Sequence, residues 1–196
     1  MSIAKTLSKI QVGYFAKFVL LLALATGAPI LGIHLQWLTG PIVNAALILS
    51  VFLVGVRGAV LVGLLPSTIA LGVGLLPAVL APMVPFIIIS NIILVLVIDF
   101  FCHSEGGPVN IGPTDGISVK DPIASLGMTD KKYWLGLLLA AGLKFLFLFL
   151  TSGIVIRLLL NQKLATPVAQ MMSWPQFYTA LVGGALAFII LKILKK

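Results

Sequence analysis

Lys144 restricts the chemistry of this chain more than any other residue, because it lies near the middle of the apolar run from Tyr133 to Leu160. A lysine at that depth in a bilayer is costly, and such residues usually face a bundle interior or a polar cavity. Small or partly polar residues share its face at helical spacing: Ala140, Ala141, Leu148 and Thr151. Leucines occupy the opposite side: Leu139, Leu146 and Leu150. The pattern predicts that Lys144 points inward and holds an anionic group of a ligand, or else forms a structural pair with a carbonyl group or Asp99.

Asn91 is expected at the same depth as Lys144. It lies about eight residues from one end of its apolar run, roughly 12 Å deep, and Lys144 lies about eleven residues from the other end of its own, roughly 17 Å deep. In a hydrocarbon core about 30 Å thick, these two levels coincide. Asn91 is therefore a candidate ligand-binding residue, or else it forms a hydrogen bond between helices. Ser67 and Thr68 follow Pro66 near this level, and for them the bond between helices is the better interpretation.

A second polar and aromatic set lies near the predicted outer side. Trp37 stands just before the second apolar run and Asn44 lies within it, and Trp174 and Gln176 lie at the start of the last one. Tryptophan at a membrane edge is usually an interfacial anchor, and this is the stronger interpretation for either tryptophan alone. Amides accompany both, however, and small-ligand sites are generally apolar pockets with a few placed polar groups. All four residues are therefore candidates for ligand binding.

The composition is typical of an integral membrane protein. Hydrophobic residues make up 60% of the 196 residues and charged residues only 9%, whereas a soluble domain carries about 25% charged residues. Six spans of about 20 residues can be drawn. They cover residues 14–33, 39–56, 58–76, 83–102, 133–160 and 173–194. The sequence thus predicts an all-α bundle of about six transmembrane helices, forming one integral membrane domain over residues 1–196.

The basic residues predict the orientation of this bundle. With a cytoplasmic N-terminus, ten of the 13 lysines and arginines lie inside, and only Arg157 and Lys163 lie outside. Such a bias favours cytoplasmic N- and C-termini and a cytoplasmic loop over residues 103–132, in the cytoplasmic membrane. The net charge of +8 is scattered over the ends of the apolar runs and forms no basic patch, so nucleic acid is not an expected partner.

Catalytic, metal and cofactor sites are not indicated. Cys102 is the only cysteine, and an iron–sulfur cluster needs about four such ligands. His34 has no Cys, Asp or Glu close to it in the sequence, so a metal site is not expected there. The chain shows neither a nucleophilic triad nor a pair of carboxylates.

Small residues on two helices suggest close helix contacts. Ala23 and Gly27 are four residues apart on the first predicted helix, and Ala180, Gly184 and Ala187 have similar spacing on the sixth. Such faces let helices approach closely. They would serve either docking of a partner or packing within the bundle.

Three segments carry a resemblance to a known family: TGPIVNA at 39–45, LPSTIALGVGLLPAVLAPMVPFIIISN at 65–91 and MMSWPQ at 171–176. Together with six short spans, they resemble the substrate-binding membrane components (S components) of energy-coupling factor (ECF) transporters. The resemblance covers most of the chain except the loop 103–132. Within that family the chain is also similar to a subgroup of small membrane proteins labelled "iron hydrogenase", although Cys102 alone cannot supply the cysteines of such an enzyme.

The resemblance implies a binding protein without an ATPase of its own. Members of the family dock on a transmembrane coupling protein and two ATPases, and rotate in the membrane to deliver a vitamin or a metal ion. Their docking signature is A-x-x-x-A on the first helix, and the nearest match here is Ala23 with Gly27. The N-terminal histidine motif of the metal-transporting members is missing, so the expected substrate is a small organic, vitamin-like molecule, anionic or zwitterionic, captured from the outer side. Alternatives are a structural or anchoring subunit of a membrane complex and a hydrogenase-associated redox subunit.

The predicted orientation can be tested by placing single cysteines at Gly107 and at Gln162. The lysine bias puts these positions on opposite sides of the membrane. A membrane-impermeant thiol reagent should therefore label them from opposite sides in oriented vesicles. Labelling of both from one side would contradict the six-span topology.

Overall fold

The computed structural model describes residues 2–30, 36–74, 78–103, 130–159 and 168–194. Every regular element in these ranges is helical, which confirms the predicted all-α class. The six main helices are α1 (Ser2–Ile30), α2 (Gln36–Leu53), α3 (Gly55–Gly72), α4 (Val84–His103), α5 (Asp130–Leu159) and α6 (Trp174–Leu194). A 3₁₀ helix, Ala78–Met83, precedes α4, and a helical turn at residues 168–171 precedes α6. Most of the predicted loop 103–132, together with His34 and Lys163, lies outside the described residues.

Four helical stretches are long and apolar enough to cross a membrane: Gly55–Gly72, Ala81–Cys102, Asp130–Arg157 and Val168–Leu194. The apolar parts of α1 and α2, Val12–Ala28 and Trp37–Leu53, are shorter, at no more than 17 residues each. This combination is typical of a membrane-embedded helical bundle. The orientation and the particular membrane stay predictions.

Helix α2 is the central helix of the bundle. It packs against α1, α3, α4 and α6, and every residue from Asn44 to Phe52 is buried. A helix that is apolar on all sides belongs in the interior, and this stretch of α2 carries only Asn44 and Ser50 as polar side chains. Ser50 donates to the Ala46 carbonyl oxygen of its own helix at 2.6 Å. Asn44 is therefore the polar group through which α2 contacts other helices.

The connection between α2 and α3 is tighter than the sequence indicates. The GVRG stretch predicts a turn over Gly55 to Gly58, but α3 already begins at Gly55, so Arg57 lies inside its first turn. Gly55 has a φ of +78°, a left-handed conformation that glycine adopts without a steric cost. One glycine is thus enough to reverse the chain.

Two apolar clusters divide the interior. The large apolar cluster takes residues from all six helices, among them Leu21, Leu47, Val62, Ile98, Leu137 and Ala187. The small apolar cluster consists of Met83, Leu148, Val155, Val168 and Met172. Met83 is fully buried, so the end of the proline-containing segment before α4 is packed against the protein. The gap between the clusters falls at residue 91 in α4 and residue 144 in α5.

Helices α2 and α6 approach each other through glycines. A Cβ at Gly183 would lie 2.6 Å from the Pro41 carbonyl oxygen and 2.7 Å from the Asn44 Cβ. One residue further, Gly184 faces the Leu137 side chain of α5, and its carbonyl oxygen accepts a 2.6 Å hydrogen bond from the Tyr133 hydroxyl. The small residues of α6 therefore pack within the bundle, the second of the two expected uses.

Replacing Gly183 with alanine should destabilise the protein. The new methyl group would meet backbone atoms of α2 that cannot move aside, and overpacking of this kind costs about 1–3 kcal/mol. Gly142→Ala is the matched control, because a Cβ there meets nothing within 4 Å and alanine favours the helix by up to about 1 kcal/mol. Thermal unfolding in detergent should separate the two variants. Equal melting temperatures would contradict the close contact between α2 and α6.

Candidate functional site

Lys144 lies in the gap between the two apolar clusters and is only 3% exposed. Its Nζ donates to Asn44 Oδ1 at 2.6 Å and to Asn91 Oδ1 at 2.8 Å. Ala140, Ala141 and Leu148 on its face are fully buried, whereas the leucines of the opposite face are exposed. The predicted inward direction of Lys144 is thus confirmed, and so is its common level with Asn91.

The hydrogen bonds fix how both asparagine amides are turned. Asn91 Nδ2 donates to the Gly63 carbonyl oxygen at 3.2 Å, and because a carbonyl can only accept, the amide oxygen must face Lys144. Asn44 Nδ2 donates to Thr179 Oγ1 at 3.4 Å, while the Thr179 hydroxyl donates to the Gln176 carbonyl oxygen at 3.3 Å. Both amides therefore present oxygen to the lysine and use their nitrogens elsewhere.

We call Lys144, Asn44, Asn91 and Thr179 the polar layer. Its hydrogen bonds connect α2, α3, α4, α5 and α6. Helix α5 packs mainly against α4 and α6, and Lys144 joins it to α2 at this level, in addition to the contact of the Tyr133 ring with the Phe52 ring at 6.3 Å between centroids. A hydrogen bond that involves a charged group contributes about 1.5–3 kcal/mol to stability. Among the described residues, no buried side-chain nitrogen or oxygen lacks a hydrogen-bond partner.

The structural alternative pairs Lys144 with a carbonyl group or with Asp99, but its partners in the structure are different. Lys144 pairs with side-chain amides, and it makes no ion pair with any described residue. Asp99 lies eight residues beyond Asn91 on α4, about 12 Å along the helix axis. The carboxylate is therefore too far along the helix to share the lysine with Asn91.

The other predicted site residues lie away from Lys144. Trp37 is 54% exposed and meets Tyr178 edge to face at 5.3 Å between ring centroids. Trp174 is 63% exposed and contacts the Phe177 ring at 5.4 Å. Gln176 donates through Nε2 to the Met171 carbonyl oxygen at 3.1 Å and so holds the turn before α6. Both tryptophans have the exposure of interfacial anchors, and only the backbone of Gln176 reaches the polar layer.

Two members of the network are missed by the sequence. Thr179 is visible in the sequence as a polar residue at the start of the apolar part of α6. Its partner Asn44, however, is 135 residues away along the chain. Gly63 contributes only its carbonyl oxygen, and since every residue has one, the residue type does not identify it. Pro66 disturbs this part of α3, but the carbonyl group that loses its amide donor to proline is that of Val62, so Pro66 does not identify Gly63.

Thr68 does not serve as a bond between helices. It is exposed, and its hydroxyl donates to the Leu65 carbonyl oxygen of α3 at 2.8 Å. Its interpretation as a contact between helices is therefore wrong. Serine and threonine hydroxyls often bond back to their own helix in this way.

The proposed docking residues on α1 are not covered by the other residues that the structure describes. Ala23 is exposed, and a Cβ at Gly27 would meet nothing within 4 Å. The face they form is thus open to lipid or to another protein. Docking itself stays a prediction.

No group of three or more His, Cys, Asp or Glu residues that could hold a metal ion occurs in the described part of the chain. No family model, curated protein or solved structure matches this chain. The fold and the polar layer define a membrane-embedded helical bundle with a lysine enclosed at its centre. Its resemblance to S components stays a prediction.

Substituting aspartate for each asparagine should have unequal effects. A carboxylate at position 44 can accept from Lys144 and from the Thr179 hydroxyl, which is free to turn, so Asn44→Asp should fold with at least normal stability. A carboxylate at position 91 would face the Gly63 carbonyl oxygen with no proton between them. Asn91→Asp should therefore be less stable than Asn44→Asp by about 1–3 kcal/mol, the cost of an unsatisfied buried polar group.

Thermal or denaturant unfolding of both variants in the same detergent measures this difference. The two substitutions are chemically identical, so each serves as the control for the other. Equal stability would contradict the assigned direction of the two amides.

Proposed function

We propose that this chain is the substrate-capture subunit of an ECF-type uptake transporter in the cytoplasmic membrane. It binds a small organic, vitamin-like molecule, anionic or zwitterionic, from the outer side. One observation supports this most: the Lys144 amine is enclosed between two neutral amides and makes no ion pair with a described residue. A buried cation without a counter-charge is costly, and a bound anion removes that cost.

The hydrogen-bond inventory favours an anionic group at Lys144 itself. A lysine ammonium has three donors, and the two asparagines accept two of them. The amide nitrogens of both asparagines are already engaged. A carboxylate or phosphate would thus receive the third proton of Lys144, with Asn44 and Asn91 holding the amine in place.

The packing favours entry from the carboxyl-terminal half of α5, the outer side in the predicted orientation. On that side Lys144 is covered by the small apolar cluster, in which Met83 and Met172 belong to short segments. On the other side lies the large apolar cluster, built from all six helices. Displacement of the short segments is the smaller rearrangement, and the flexible methionines adapt to varied shapes. Trp37 and Trp174 would then cover the apolar part of the ligand, with Gln176 as a hydrogen-bonding group.

Transport would need partners. The open face of Ala23 and Gly27 on α1 is the candidate surface for a transmembrane coupling protein, with ATP hydrolysis supplied by separate subunits. Small residues without a covering neighbour allow a second helix to approach closely.

A structural or anchoring subunit is the second candidate, and the polar layer itself favours it. The layer ties five helices together, and no buried side-chain nitrogen or oxygen among the described residues lacks a hydrogen-bond partner. In that case the lysine network serves conformational specificity, a role attested for some buried polar groups.

The two functions predict different behaviour of Lys144→Met, which keeps the apolar stem and removes the donor. For a binding subunit, small molecules identified by mass spectrometry in the purified wild-type protein should be lost from this variant. Their binding free energy should weaken by about 1.5–3 kcal/mol, the contribution of one charged hydrogen bond. This corresponds to a dissociation constant that is about 10- to 150-fold higher. Lys192→Met is the matched control, because Lys192 pairs at the surface with Asp130.

Asn44→Asp keeps this test valid even if Lys144→Met fails to fold. Its carboxylate supplies the missing counter-charge from within the protein, so a stable Asn44→Asp protein should lose the anionic ligand while Lys192→Met retains it. Full retention of the ligand by a stable Asn44→Asp protein would remove the central claim. The absence of any copurifying molecule, with unfolding of Lys144→Met, would instead favour the structural subunit.

A further inference from the structure

A groove of about 400 Å³ lies along the carboxyl-terminal half of α5, where residue 169 of the preceding turn of α6 meets it. We call it the α5 groove. Its lining residues include Phe149, Leu150, Ser152, Gly153, Ile154 and Arg157. The volume falls in the range of roughly 300–1,000 Å³ that small-ligand sites occupy. Gly153 leaves this space open, because a Cβ there would meet nothing within 4 Å.

Among the described residues that line the α5 groove, Arg157 is the only charged one. Its side chain is exposed, and it makes no ion pair or hydrogen bond with the described residues. The guanidinium fork matches the geometry of a phosphate group and can bind two of its oxygens at once. The groove therefore combines an apolar channel with one cation at its end.

The position of Arg157 along α5 corresponds to the phosphate level of a bilayer. The membrane-spanning stretch of α5 runs from Asp130 to Arg157 and has 28 residues, which at 1.5 Å each is about 40 Å. A bilayer including its head groups is about 40–45 Å thick. Lys131 and Lys132 stand at the opposite end of this stretch. The two ends of the span thus fall at the two head-group layers, with the α5 groove descending from one of them.

We propose that the α5 groove binds one anionic phospholipid. Arg157 holds the phosphate, and one acyl chain lies along Phe149, Gly153 and Ile154 toward the bilayer centre. The wall is extended by the Phe145 ring, which lies 5.8 Å from the Phe149 ring between centroids. This site is separate from Lys144, and the proposal does not depend on the transport function.

Two substitutions test the two halves of the site. Arg157→Gln removes the charge and keeps the groove, whereas Gly153→Leu fills the groove and keeps the charge. Gly142→Leu is the matched control for bulk, since Gly142 lies on the same face of α5 three turns away and is equally open to a side chain. Arg157 has no partner to lose among the described residues, so its variant should fold, and circular dichroism checks this for all three.

The measurement is native mass spectrometry of each protein titrated with phosphatidylglycerol and with phosphatidylcholine of the same acyl chains. Wild type and Gly142→Leu should retain one phosphatidylglycerol about two- to fivefold more strongly than phosphatidylcholine, the value of one exposed charge pair. Arg157→Gln should lose this preference, and Gly153→Leu should retain neither lipid.

Three results would overturn the proposal. The first is equal retention of both lipids by the wild type, and the second is an unchanged preference in Arg157→Gln or unchanged retention in Gly153→Leu. The third is displacement of bound phosphatidylglycerol by glycerol phosphate as effectively as by the intact lipid. That result would show that Arg157 binds a free anion and that the groove contributes nothing.

Discussion

A lysine amine placed in the middle of a membrane bundle must find its hydrogen-bond partners within the protein, and this requirement accounts for the arrangement of most helices here. Lys144 donates to the side-chain oxygens of Asn44 and Asn91. The amide nitrogen of each asparagine then needs an acceptor, which a further helix provides. In a low-dielectric interior, an amide left unpaired would cost more than in water. The five helices are therefore held in one relative arrangement, the one that satisfies all these groups together.

The close helix contacts of the fold follow from the short reach of asparagine. An asparagine side chain spans only two carbon–carbon bonds, so a helix must come near to receive its hydrogen bond. Gly63 allows α3 to approach Asn91, whose Cβ would be 3.4 Å from a Cβ at position 63. Gly40 lies directly against Thr179, the acceptor for Asn44, and Gly183 lies against Asn44 itself. Glycines thus stand where the polar layer needs a second helix, and the longer lysine covers the remaining gap.

The sequence predicts the centre of this arrangement because depth in a membrane can be counted along a helix. The level of Lys144 and Asn91, and the direction of Lys144, follow from residue spacing and the cost of a buried charge. The sequence places Asn44 in a separate outer set with Trp37, because residue spacing gives the depth of a residue but not its neighbours at that depth. Which helices stand side by side depends on loops and on packing at single glycines such as Gly183. For the same reason Thr179 and the Gly63 carbonyl oxygen could not be found.

The choice of asparagine, rather than aspartate, is informative about what the polar layer does. A lysine that served only to tie helices would be held better by a carboxylate at position 44, where the Thr179 hydroxyl could also bond to it, since an isolated buried charge is strongly destabilising. The neutral amides hold the amine in position, and none of the described residues supplies a counter-ion for its charge. The same geometry therefore fixes the helices and keeps an attraction for an anion. A ligand that enters through the half of the bundle covered by the small apolar cluster would have to displace only that cluster, and for this reason we favour the proposed binding function over the structural one.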